Sequence, residues 1–109
     1  MTVELNRINA RIEQAKKALE KFNAEVLVDP AYAFAWADST FMNAARVQIY
    51  SEIKYSLEND VSCEKVKQNF VDFIMREAMS INSKSTSQCA NIMKECKIAV
   101  ASEAIEMFL

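Results

Sequence analysis

Three thiols and one pair of carboxylates are the side chains with which this chain of 109 residues could do chemistry. Cys63, Cys89 and Cys96 are an odd number with no scaffold spacing, so a disulfide framework is not expected and the three read as reduced, small hydrophobes. Cys89 and Cys96 stand two helical turns apart, on one face but too distant to bridge each other. Cys63 falls at the expected start of a helix, where the dipole lowers a thiol's pKa, yet a lone thiolate needs a base beside it. Zinc would require a fourth ligand, and the chain has no histidine to offer. Glu103 and Glu106 are spaced to share a helix face, but a magnesium site of this kind needs a second acidic turn opposite. They stand close to the last residue and read as a solvated final turn. No catalytic residue, metal or cofactor is expected.

Two zeros in the composition exclude more. The sequence contains no glycine, no histidine and a single proline, Pro30. Phosphate-cradling loops, dinucleotide fingerprints and the serine elbow all need glycine at fixed positions. Serine–histidine and cysteine–histidine dyads, and the Glu-x-x-His motif of di-iron bundles, fall with the imidazole. Hairpin turns and bulges also rely on glycine, so the class is all-α, with helix ends made by Ser, Asp and Asn.

Hydrophobic residues make up 51% of the sequence and charged ones 26%, the balance of a folded chain rather than a disordered one. The length suits one domain spanning residues 1–109. A net charge of −2 and a pI near 5.2 give no footprint for nucleic acid or anionic lipid. No apolar run approaches the roughly 18 residues of a membrane span, and an amino terminus carrying Glu4 and Arg7 is not a signal peptide. The expected setting is the cytoplasm.

The elements follow from periodicity. Leu5, Ile8, Ile12, Ala15, Leu19, Phe22 and Val26 recur in alternating steps of three and four, a coiled-coil-like heptad seam on one narrow face of a first helix, 3–27. On its outer surface Lys16 is within reach of Glu20, and Lys17 of Glu13. Arg7, Arg11, Gln14, Lys17 and Lys21 could be read as a phosphate-binding stripe, but Glu4, Glu13, Glu20 and Glu25 balance them as a solvated face. Asp29 followed by Pro30 is an N-cap with proline at the first helical position, and it opens a second helix, 30–58. In its first turns alanine alternates with Tyr32, Phe34 and Trp36; alanine's helix preference outweighs the strand-like alternation. Asp38, Ser39 and Thr40 leave two readings, a helix broken near Asp38 or a continuous one. Ser62 caps a third helix, 62–81, and the polar run 82–87 is a loop before a fourth, 87–107. The architecture is a small bundle of about four helices.

With chemistry excluded on so many counts, the expected function is a non-catalytic helical protein–protein interaction module: an adaptor, an inhibitor of a partner protein or an assembly subunit, acting on another protein or on a second copy of itself in an oligomer. Short and glycine-free, it suits an accessory protein of a bacteriophage or mobile element. The partner-binding residues expected are Leu5, Ile8, Ile12, Leu19 and Phe22 on the seam, with Tyr32, Phe34 and Trp36 on the aromatic stretch. The same seam would equally serve internal packing. A small nucleic-acid-binding regulator is the alternative, disfavoured by the negative charge; a carboxylate- or thiol-dependent enzyme is the remote one.

Overall fold

The computed structural model describes residues 2–80 and 88–108, with the side chains of 5–33, 35–79 and 91–107. These residues form four helices and no strand: α1 (Thr2–Val28), α2 (Tyr32–Glu58), α3 (Cys63–Ser80) and α4 (Gln88–Phe108). The all-α class and the bundle are as expected. The polar run 82–87 and its capping serines lie outside the described residues, as do the side chains of Phe34 and Cys89.

Each helix end has a local cause. After α1 the Asp29 Oδ1 accepts a hydrogen bond from the Ala31 N–H at 3.1 Å, and the Asp29 and Pro30 carbonyls accept from Tyr32 and Ala33. The Asp-Pro step therefore reverses the chain as a turn, and α2 begins at Tyr32 rather than at the expected Pro30, with Ala31 at the N-cap and no side-chain cap bond there. Helix α2 runs unbroken through Asp38. Thr40 absorbs its own polarity there, its Oγ1 donating to the Trp36 carbonyl at 3.0 Å.

At the far end of α2 the backbone must leave the helix without glycine. Asp60 adopts φ 62°, the Asp60 N–H donates to Leu57 O, and the Val61 N–H donates to Ser56 O. These two bonds make a Schellman motif with aspartate in the left-handed position glycine usually takes. Ser62 then caps α3, its Oγ accepting from the Lys65 N–H at 3.2 Å, with Glu64 in the first turn.

The core draws on all four helices. Ile8 and Ile12 of α1, Ile49, Tyr50, Ile53 and Leu57 of α2, Val66 and Phe70 of α3, and Val100 of α4 form one buried cluster. Ala45 on α2 and Ala101 and Ala104 on α4 are fully buried, and such small side chains let two helices approach closely. Arg46 pairs with Glu103, and the negative charge of Asp38 reaches Cys96. The residues match in the same order along the two helices, so α2 and α4 run parallel. Helix α1 lies antiparallel along α2, while α3 packs chiefly on α4 and only lightly on α2.

A close α2–α4 pair flanked by α1 and α3 makes a slab rather than a square bundle. Its extents are 44 × 36 × 19 Å, about two helix diameters in the thin direction. Its radius of gyration, 15.2 Å, exceeds the roughly 13 Å of a compact globule of this length. More surface stays uncovered than such a globule leaves.

Candidate functional site

The heptad seam turns inward. Ile8 and Ile12 belong to the core, Leu5 packs against it, Ala15 is buried, and Leu19, Phe22 and Val26 are half-buried. Seven apolar residues at this spacing are thus engaged inside the chain, chiefly against α2. On the outer face Lys16 pairs with Glu13 at 3.9 Å, one turn towards the amino terminus, rather than with Glu20. Both choices are adjacent on a helix surface, and the exposed pair contributes only a few tenths of a kcal/mol.

Where the seam ends, the two helices of the α1–α2 hairpin form an aromatic corner. Phe22 and Tyr32 stand with ring centroids 5.8 Å apart, and Tyr32 and Trp36 follow at 5.9 Å, both tilted. The spacing i, i+4 places Tyr32 and Trp36 one turn apart on α2, so the ladder climbs from the hairpin tip along the helix. Trp36 is 51% exposed at its outer rung. Leu27 and Val28, at the last turn of α1, are 86% and 85% exposed. They follow Val26 by one and two residues, which rotates both off the seam face. Between Val26 and Ala37 the only charged residue is Asp29. Depletion of charge beside exposed aromatic and aliphatic side chains is the composition of an interface centre.

A second constellation lies where α1, α2 and α4 meet. The Arg46 Nε stands 3.5 Å from Glu103 Oε2, and its Nη1 donates to Asn43 Oδ1 at 3.1 Å. Tyr50 is fully buried, and its phenol is pushed up to about 12. Burial is the main cause; the Glu103 charge and a hydrogen bond to that carboxylate add to it, while Arg11 and Arg46 pull the other way. Glu103 is therefore no solvated residue of a last turn. Its side chain is 26% exposed and tied to α2, whereas Glu106 is exposed as expected. Sequence reasoning missed it because its partner lies on another helix. The available signal was its place between Val100 and Ala104, on the flank of the inward face of α4.

The Cys96 thiol is a poor nucleophile. Cys63 and Cys96 are free and half-buried. Burial pushes the Cys96 thiol up, and the charges of Asp38 and Glu95 reinforce it, so the group stays protonated at neutral pH. Among the described residues no three of His, Cys, Asp and Glu gather as a metal site, and no helix is long and apolar enough to cross a membrane.

Between α2 and α3, which touch only lightly, a cavity of about 220 Å³ has Phe70 and Phe73 in its wall and Glu52 and Arg76 among its polar lining residues. The Arg76 guanidinium sits 5.9 Å from the Phe73 ring centroid, a cation–π contact. Compared with known proteins, the chain is similar to no family model, no curated protein and no solved structure.

Proposed function

We propose that this chain is a non-catalytic helical interaction module whose partner is another protein, and that the aromatic corner of the α1–α2 hairpin is where the partner binds. The observation that carries the reading is the corner itself. Trp36 stands exposed at the outer rung of the Phe22–Tyr32–Trp36 ladder, and Leu27 and Val28 are exposed at the end of α1, in a stretch with one charge. Aromatic side chains at such positions bury large area at low entropic cost, and a few of them dominate binding energy. The seam residues Leu5, Ile8, Ile12 and Leu19 serve this function indirectly, by fixing α1 against α2 so that the corner is rigid. Cys63 and Cys96, the thiols free among the described residues, fit a reducing, cytoplasmic setting.

The experiment is affinity capture from host lysate with quantitative mass spectrometry, using the wild-type chain, Trp36→Ala, Leu27→Asp and the distant surface variant Met75→Ala. The expected result is a protein retained by the wild type and Met75→Ala and lost by both corner variants at unchanged thermal stability. Capture of the same proteins by all four chains, or of none, overturns the proposal.

A further inference from the structure

The two arginines of the second constellation face a space that their known partners leave unfilled. Arg11 and Gln14 of α1 and Asn43 and Arg46 of α2 line a cavity of about 310 Å³, whose α1 wall is otherwise the small side chains of Ala15 and Ala18. Two arginines thus line one cavity, and one carboxylate, Glu103, pairs with one of them, Arg46. The Arg11 Nη2 donates to the Met107 sulfur at 4.0 Å, a neutral and weak acceptor; among the described residues no carboxylate lies within ion-pair distance of it. Arg46 is the pre-positioned member, held by Asn43 and Glu103 from two sides. Both side chains are only partly exposed, so their charges are less screened than those of a surface lysine.

We infer that this cavity binds a small phosphate-bearing molecule. Two planar guanidinium forks match the oxygens of phosphate in a way no lysine pair does, and each charge-assisted bond is roughly twice as strong as a neutral one. The carboxamides of Gln14 and Asn43 add neutral donors, and the two alanines leave the volume in which the ligand sits. Arg11 supplies the uncompensated charge, and Arg46 supplies orientation. This inference is independent of the aromatic corner, which lies towards the other end of α1.

The test is calorimetry of inorganic pyrophosphate and of orthophosphate against the purified chain at fixed ionic strength, with sulfate as the control for nonspecific salt effects. The expected result is saturable one-to-one binding of at least one of the two phosphates, weakened at least tenfold in Arg11→Met and unchanged in Arg76→Met. Arg11→Lys, which keeps the charge and loses the fork, should fold as the wild type and bind more weakly than it. Absence of saturable binding by either phosphate, equal binding by sulfate, or affinity that survives in Arg11→Met and Arg11→Lys alike overturns the inference.

Discussion

Arg46 Nε on α2 and Glu103 Oε2 on α4 stand 3.5 Å apart, and both groups act electrostatically on the buried hydroxyl of Tyr50. This pair is one polar tie across the parallel α2–α4 contact, beside the hydrogen bond between Tyr50 and the same carboxylate. Its side chains are 31% and 26% exposed, so solvent screens the attraction only in part. Arg46→Met and Glu103→Gln should each cost about 1 kcal/mol, and the double variant less than their sum by about 0.5 kcal/mol. A double-mutant cycle in urea measures this; strict additivity would show that the two groups do not interact.

Tyr50 makes stability fall at high pH. The folded chain keeps its phenol protonated to about pH 12, against 10.0 for the free group, so above pH 10 the unfolded state loses the proton first. The stabilisation is complete below pH 10 and disappears as pH rises through 12, amounting to at most about 2.7 kcal/mol. Denaturation curves at pH 8.5, 10.5 and 11.5 should show the wild type losing stability faster than Tyr50→Phe. Parallel losses in the two proteins would mean that Tyr50 contributes no such linkage.

Asp60 is the one described residue outside glycine's company that holds a positive φ, at 62°. Asp60→Gly should raise stability by about 0.5–1 kcal/mol, because the left-handed position costs glycine nothing, whereas β-branched Asp60→Val should lower it by about 1 kcal/mol or more. Thermal unfolding of the two variants checks the order; a less stable glycine variant would contradict the Schellman assignment.

Core and corner should respond differently to truncation. Ile53 is fully buried, so Ile53→Ala should cost about 3 kcal/mol in lost burial and cavity formation. Trp36 is half in solvent, and Trp36→Ala should cost no more than about 1 kcal/mol. Chemical denaturation of both variants reads this contrast, and similar losses would show that Trp36 is part of the core.

The helices were legible because their signals are local. A seam repeating every three and four residues, the Asp29-Pro30 break and the Ser62 cap each act within one turn; the break and the Ser62 cap fall where the sequence places them, although α2 starts at Tyr32, two residues past the expected Pro30. The continuity of α2 past Asp38 was not legible, because Ser and Thr serve equally as caps and as residues that bond back to their own helix, as Thr40 does. Which side of the seam meets a partner depends on tertiary packing; α2 covers Ile8 and Ile12, a fact no periodicity contains. Residue type alone singles out Tyr32 and Trp36, whereas their ladder with Phe22 depends on the tertiary meeting of α1 and α2. Local patterns place both Glu103 and Arg11 on solvated faces. Their roles arise from residues 57 and 96 positions away in the chain, Arg46 and Met107, which local patterns do not reach.

The affinity of the captured partner for the wild-type chain and for Trp36→Ala, by calorimetry at matched thermal stability, tests most directly whether the aromatic corner binds a protein. A dissociation constant at least tenfold weaker for the variant, about 1.4 kcal/mol of binding energy lost, is the result predicted. Equal affinity for the two chains would contradict it.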